Sequence, residues 1–262
     1  MTLSEPIREQ ITIAWTIPSI LNGIRHCQQQ WHIFSPTSEP FGSILAGLDE
    51  CQIVPNAQRG VTLALESNES SIVFVPNRQL VPVIALAKQA KVNAPLIFVI
   101  EDHPIIAAQL APRETASRAG ICVIEPSDAS EVEHCAASAA WISASCHEPV
   151  VLITHHSLLG SASSQISDVS TDQFSLRKTE QVTPLRLGRR YELNRQRTIP
   201  SPGERVPVGF ITIGMSDSSL RYLVSELQLL GRVPMLNLRM LSPLDSAPLE
   251  RLLTRCRHVV VL

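Results

Sequence analysis

Short apolar runs alternate with segments of helical length along the first 156 residues. The predicted strands are Trp31–Phe34, Cys51–Val54, Ser71–Val75, Pro95–Ile100, Ile121–Ile124 and Pro149–Thr154. Parallel strands need a crossover connection, and helices then cover both faces of the sheet, so such strands are apolar throughout. The alternation therefore predicts the α/β class, with a largely parallel sheet.

One helix is predicted with particular detail, from about Ala129 to Cys146. Its apolar stripe consists of Val132, Cys135, Ala136, Ala139 and Ile142, which recur at helical spacing. We expect Asp128 to cap the free backbone amides and Glu131 to complete a capping box. The stripe indicates packing against the sheet, and we assign this helix no chemistry.

The pattern is lost from Ser157 to about Arg205, where Ser, Thr, Gln, Arg and Pro dominate. Such composition is typical of a linker, so we expect a connector over 157–205. Its arginines are Arg186, Arg189, Arg190, Arg195 and Arg197. They can face an acidic partner surface, but their lack of pattern favours solvated charges on a connector.

A second α/β unit is predicted after the linker. Its elements are strand Val206–Ile213, helix Asp217–Leu230, strand Val233–Arg239, helix Ala247–Arg255 and strand His258–Leu262. Gly214 is expected as a turn glycine, with Ser216 as the N-cap of the next helix. The last strand is apolar and no covering helix follows it, so we expect either a second chain over it or a truncated sequence.

Composition excludes some partners. The chain of 262 residues is 44% hydrophobic and 18% charged, with a net charge of -2 and only 4% aromatic residues. It offers neither a basic surface nor a stacking platform for nucleic acid. No run approaches the roughly 20 apolar residues that a membrane helix needs, and the N-terminus lacks a secretory pattern. We expect no nucleic-acid partner, no membrane partner and a cytoplasmic location.

The six cysteines are scattered, with no pair at two-residue spacing. This distribution favours reduced, buried thiols. The close spacing of a ferredoxin-type iron–sulfur site is missing from the sequence. Any electron relay is therefore expected on another chain.

Polar residues follow two predicted strands of the first unit. Glu101 to Pro104 and the pair His155 and His156 lie at carboxyl ends, where open α/β sheets bind their ligands. Adjacent residues at a strand end usually point apart, so we interpret both groups as loop residues. No catalytic residue and no metal ligand is assigned.

The order of several segments resembles the alpha-type subunit of 2-oxoacid:ferredoxin oxidoreductases, the indolepyruvate and pyruvate enzymes. Phe34 to Thr37, Pro95 to Asp102 and Ile124 to Asp128 are similar to the pyrimidine-binding domain, and Val208 to Gly214 to the start of the transketolase C-terminal-like domain. The resemblance implies a pyrimidine-binding-like domain over 1–156, the linker over 157–205 and the start of the second domain over 206–262.

The resemblance also implies chemistry. In this family thiamine diphosphate lies between the pyrimidine domain and a separate diphosphate-binding domain that holds Mg²⁺. The 2-oxoacid undergoes oxidative decarboxylation, and electrons leave through iron–sulfur clusters to ferredoxin. The Gly-Asp-Gly diphosphate motif is missing from this sequence. Mg²⁺ and the clusters are therefore expected on a partner subunit only, with ferredoxin an indirect partner.

One position departs from the family. Asn56, Ala57 and Gln58 stand where the family reads Asn-Glu-Lys, so Ala57 replaces the glutamate that activates the cofactor. Alanine cannot share a proton with the ring. The main alternative is that the alignment with the family is shifted, so that Glu50 or Glu66 is the activating glutamate.

Thr37 and Asn56 remain as cofactor-binding candidates, although a turn or helix-cap role is favoured over cofactor contact for both. We expect a catalytic subunit that needs its partner. The alternatives are a non-catalytic paralogue in assembly or regulation and a small-molecule-binding domain without thiamine. We expect the isolated chain to be inactive, and the sequence leaves the 2-oxoacid open.

Overall fold

The computed structural model describes residues 17–27, 29–37, 45, 48, 50–89, 94–102, 111–155, 182–198 and 205–262. The strands are β1 His32–Pro36, β2 Cys51–Val54, β3 Ser71–Val75, β4 Leu96–Asp102, β5 Cys122–Ile124, β6 Val150–His155, β7 Arg195–Arg197, β8 Val206–Ile213, β9 Met235–Leu238, β10 Met240–Ser242 and β11 Cys256–Val261. The helices are α1 over 17–25, α2 Ala57–Ser67, α3 Leu80–Gln89, α4 Pro112–Arg118, α5 Val132–Cys146, α6 Pro184–Arg190, α7 Ser216–Glu226 and α8 Ser246–Arg255.

Seven of these strands form one sheet in the order β10-β5-β6-β4-β3-β1-β2. All pairings are parallel except that of β10, which runs antiparallel to β5. The predicted α/β class with a largely parallel sheet is confirmed. Each strand of the first unit lies within two residues of its predicted bounds.

The large sheet is buried on both faces. Along β3, Ile72 and Phe74 belong to one apolar core, while Val73 and Val75 belong to the other. Helices α1 and α5 contribute to the first core, and α2, α3 and α4 contribute to the second. Side chains alternate across a strand, so covering both faces makes the strands continuously apolar, as the sequence shows.

Part of the expected connector is folded. Helix α6 starts with Pro184, and the hydroxyl of its N-cap Thr183 accepts a hydrogen bond from the Arg186 amide at 3.3 Å. Leu187, Tyr191 and Leu193 are buried in the core between the large sheet, α1 and α5. This stretch of the expected connector is therefore packed against the first unit, because three apolar residues anchor it.

A second sheet of four strands has the order β11-β8-β9-β7. The predicted strand Val233–Arg239 is observed as β9 Met235–Leu238, after which the chain leaves this sheet and enters the large sheet at Met240. Arg239, the residue between the two sheets, is fully buried, and its Nη2 lies 2.8 Å from Glu131 Oε1.

Two predicted caps differ from the structure. Glu131 accepts a hydrogen bond from the Ser127 amide at 3.2 Å and not from Asp128, because a 3₁₀ turn over Ala129–Glu131 precedes α5. Ser216 is the first residue of α7 and bonds the carbonyl oxygens of Ile213 and Leu262. Among the described residues, no helix is both long and apolar enough to span a bilayer.

Candidate functional site at the carboxyl edge of the large sheet

Strand register brings polar residues to one level at the carboxyl edge of the large sheet. Val75 pairs with Ile100, and Asp102 pairs with His155. Asn77 begins the 3₁₀ turn Asn77–Gln79 after β3. Asp102 and His155 end the neighbouring strands β4 and β6, so all three residues lie at the edge where α/β proteins bind ligands.

The two predicted cofactor-binding residues lie at the neighbouring strand ends. Asn56 is the N-cap of α2, and its Oδ1 accepts the Arg59 amide at 2.9 Å. The exposed Thr37 donates its hydroxyl to the Pro55 carbonyl at 3.3 Å and its amide to the Val54 carbonyl at 2.9 Å. Both therefore have local structural roles, and a contact with a cofactor stays a prediction for each.

Ala57 is the first residue of α2 and is fully buried. Its amide donates to Gln79 Oε1 at 2.7 Å, so the side chain of a residue after β3 satisfies this helix N-terminus. Glu50 pairs with Arg25 at 3.5 Å and Glu66 with Arg59 at 3.9 Å, both on the surface. Neither carboxylate substitutes for a glutamate at position 57.

Unpartnered polar atoms mark the level of Asn77 and Asp102. Asn77 is 7% exposed, and within the described part of the chain neither Oδ1 nor Nδ2 has a hydrogen-bond partner. Asp102 is 3% exposed, and its Oδ1 is equally without a partner. Buried polar atoms without partners each cost roughly 1–3 kcal/mol, so they are rare outside functional sites. We therefore take this edge as the candidate ligand site.

Asp102, Arg113 and Glu125 form what we call the carboxylate cluster. Arg113 donates from Nε to Glu125 Oε2 at 2.7 Å and from Nη2 to Glu125 Oε1 at 2.8 Å, and Nη2 also bonds Asp102 Oδ2. The Glu125 and Asp102 side chains are 1% and 4% exposed. One guanidinium group is thus the counter-ion of two buried carboxylates.

The pKa shifts in the cluster follow from the presence of one guanidinium group for two carboxylates. Burial raises the pKa of Glu125, and the hydrogen bonds and charge of Arg113 oppose this rise without cancelling it. Burial also acts against the charge of Arg113, but its bonds to Glu125 and then Asp102 keep its pKa above the ordinary value. Arg113 stays charged, and the pKa of Glu125 stays above its ordinary value.

The turn between β8 and α7 closes over this cluster. Gly214 has a φ of 54°, and a Cβ atom there would lie 1.9 Å from Glu125 Oε1. The expected turn glycine is therefore required twice, by its backbone conformation and by the carboxylate beneath it. The second unit thus supplies a wall of the site.

Sequence reasoning found only part of this site. Asp102 belongs to a group predicted at a strand end, and Glu125 to a segment that carries the family resemblance. Arg113 lies on a short polar helix, and no pattern there predicts its contacts. Asn77 follows β3 and resembles an ordinary turn residue. His103 and His156 lie outside the described residues.

Two solved structures resemble this chain over nearly its whole length. A 2-oxoglutarate:ferredoxin oxidoreductase from Magnetococcus marinus, with 2-oxoglutarate, coenzyme A and succinyl-CoA bound, matches 94% of the chain with a TM-score of 0.64. A split-gene transketolase, an inactive beta4 tetramer, matches 97% with a TM-score of 0.57. The chain shares their fold. This fits the expected pyrimidine-domain type of sheet followed by a transketolase C-terminal-like unit.

The likeness extends to fold alone, because sequence identity is 11% to the first protein and 14% to the second. The chain spans 56% of the oxidoreductase chain and 77% of the transketolase chain. No protein-family model and no curated protein sequence matches it.

Proposed function

We propose that this chain is a scaffold subunit of a thiamine-diphosphate-type 2-oxoacid oxidoreductase assembly, one that does not itself activate the cofactor. The fold likeness over 94% of the chain supports membership of such an assembly. The observation that carries the scaffold role is the buried Ala57 at the first position of α2.

The site does not fit a catalytic pyrimidine pocket. A carboxylate is needed to share a proton with the aminopyrimidine ring, and Ala57 has none. Asn77 can donate and accept hydrogen bonds, but an amide does not exchange protons at neutral pH. Under this proposal the diphosphate site, Mg²⁺ and the iron–sulfur clusters belong to a partner subunit in the cytoplasm, and ferredoxin contacts that partner.

The competing proposal is a catalytically competent subunit. It is favoured by the two buried carboxylates, Asp102 and Glu125, at the same sheet edge as Ala57. Arg113 already occupies both oxygens of Glu125 and Oδ2 of Asp102, which leaves few of their oxygens for a ligand. This proposal predicts 2-oxoacid-dependent activity that is lost on Asp102→Asn.

The test is affinity purification of the tagged full-length protein from its own cells. The eluate is analysed for thiamine diphosphate, iron, and reduction of a ferredoxin-like dye with pyruvate, indolepyruvate or 2-oxoglutarate. A stable complex in which this chain co-purifies without cofactor or activity supports the scaffold. Activity sensitive to Asp102→Asn supports the catalytic subunit, and no partner at all supports the small-molecule-binding domain.

A matched pair of variants tests the role of position 57. Ala57→Glu restores the missing carboxylate, while Gln58→Glu adds the same charge one residue later, at an exposed position in the same first turn. We expect Ala57→Glu alone to increase the thiamine diphosphate retained by the complex. Equal retention in both variants would mean that position 57 is not the glutamate position.

A further inference from the structure

A polar cleft lies away from the carboxyl edge, between α6, β7 and α8. It has a volume of about 580 Å³, within the range of roughly 300–1,000 Å³ that small-molecule sites occupy. Its lining is Leu185, Gly188, Arg189, Glu192, Asn194, Arg195, Gln196, Arg197, Met240, Asp245, Pro248 and Arg251. We call it the arginine cleft, because four arginines and only two acidic residues line it.

Two of the four guanidinium groups are held by carboxylates. Arg189 donates to both oxygens of Asp245, at 2.8 and 2.7 Å. Arg197 Nη2 lies 3.4 Å from Asp217 Oδ2. These arginines are oriented by their partners, which fixes the positive walls of the cleft.

The other two arginines have no carboxylate partner in the described part of the chain. Arg251 is held only by a hydrogen bond of 3.3 Å from its Nε to Gln196 Oε1, and Arg195 is exposed. Gln196 Nε2 is buried and has no hydrogen-bond partner among the described atoms. Two of the arginines that line the cleft therefore have donors that no carboxylate uses.

We propose that the arginine cleft binds a compact anion with at least two negative charges, either a phosphate compound or a polycarboxylate. Guanidinium groups match the paired oxygens of both ligands. Asp245 and Glu192 disfavour binding, so the occupant has to offer more charge than a simple monovalent anion. The proposal is independent of the thiamine-related function, since Ala57 and the carboxyl edge play no part in it.

The test is isothermal titration calorimetry of the full chain at constant ionic strength. Pyrophosphate represents the phosphate source and citrate represents the polycarboxylate source, with sodium chloride as the monovalent control. We expect one of the two probes to bind and chloride to give no saturable heat. The tighter probe identifies the source, and saturable binding of neither probe would overturn the proposal.

Matched variants locate the binding. The double substitution Arg195→Ala with Arg251→Ala should weaken binding about tenfold or more, as expected for lost hydrogen bonds to a charged ligand. Arg25→Ala with Arg257→Ala removes the same charge at exposed positions outside the cleft and should leave the affinity unchanged. Equal weakening in both pairs would overturn the proposal, because it would show non-specific attraction.

A third variant is expected to act in the opposite direction. Asp245→Asn removes one negative charge from the cleft and releases Arg189, while the side-chain oxygen can still cap α8 through the Ala247 amide. Anion affinity should rise in this variant. A fall in affinity with an unchanged circular dichroism spectrum would contradict the assignment of the cleft.

Discussion

The carboxylate cluster and the arginine cleft use the same chemical groups in opposite proportions. In the cluster one guanidinium serves two carboxylates that are 4% and 1% exposed. The cleft is lined by four arginines and two acidic residues, and the arginines reach solvent. The buried site thus has a surplus of acceptors and the open site a surplus of donors. The ratio of guanidinium to carboxylate groups, together with their burial, therefore decides whether a site is left with unused acceptors or unused donors.

The largest effect is expected from breaking the cluster. Arg113→Met leaves Glu125 and Asp102 buried without a counter-ion, which should reduce the free energy of unfolding by about 3–5 kcal/mol at pH 7. Urea unfolding followed by circular dichroism measures this. Arg118→Met, on the same helix, removes only an exposed pair with Glu114 and should change stability by no more than about 0.5 kcal/mol.

The same variant has a predicted pH dependence. Losing Arg113 removes the group that opposes the raised pKa of Glu125, so its pKa in the folded state rises further above the ordinary 4.5. A raised folded pKa means that protonation stabilises the fold. The deficit of Arg113→Met should therefore be largest above the folded pKa and shrink as the pH falls toward 4.5. A deficit that grows on acidification would contradict this account of the cluster.

A smaller effect is expected from loosening the wall of the cleft. Leu187 on α6 is 1% exposed, and Leu187→Ala should lower the free energy of unfolding by about 3 kcal/mol. Leu185→Ala, a half-buried position on the cleft side of the same helix, serves as the control and should have a smaller effect. Equal effects would show that α6 is not anchored through Leu187.

The next prediction compares alanine substitutions at two glycines, to distinguish backbone strain from a steric clash with the carboxylate cluster. Gly214 and Gly120 both have positive φ, 54° and 72°, but a Cβ at Gly120 meets nothing within 4 Å. Gly120→Ala should therefore report only the conformational cost, about 1–2 kcal/mol. Gly214→Ala should cost more, since Glu125 is held by Arg113 and cannot easily move. Equal costs in urea unfolding would mean that the carboxylate yields.

The smallest effect is expected at the open site. The hydrogen bonds from Arg189 hold the pKa of Asp245 below its ordinary 3.8. A lowered folded pKa gives stability that is present above pH 3.8 and is lost as the pH falls through the folded value. Asp245→Asn should slightly lower the melting temperature at pH 7. The difference from the wild type should shrink below pH 3.8, and a constant difference would argue against the ion pair.

The sequence predicts the large sheet well because its strands are buried on both faces, which leaves uninterrupted apolar runs. It predicts little of α6 and β7, since a helix of seven residues with one deeply buried leucine and a strand reading Arg-Gln-Arg have the composition of a loop. Their burial depends on contacts with distant residues.

The sequence predicts where the candidate site lies but not all of the residues that form it. A strand end indicates Asp102, because parallel strands share one carboxyl edge. Arg113 is half-buried and is held by contacts with Asp102 and Glu125 that its own helix does not predict. The missing carboxylate at Ala57 has a meaning only through the resemblance to a family. The chain passes from one sheet to the other at Arg239, and the apolar residues around this position do not indicate the change.

That departure has a consequence for the edge of the large sheet. Met240–Ser242 covers β5, and the carbonyl of Arg239 accepts the Glu125 amide at 2.8 Å. Removing residues 206–262 would leave the backbone of β5 open, and open strand edges recruit other chains. The first unit expressed alone is therefore expected to aggregate, although almost every residue of its own core would still be present.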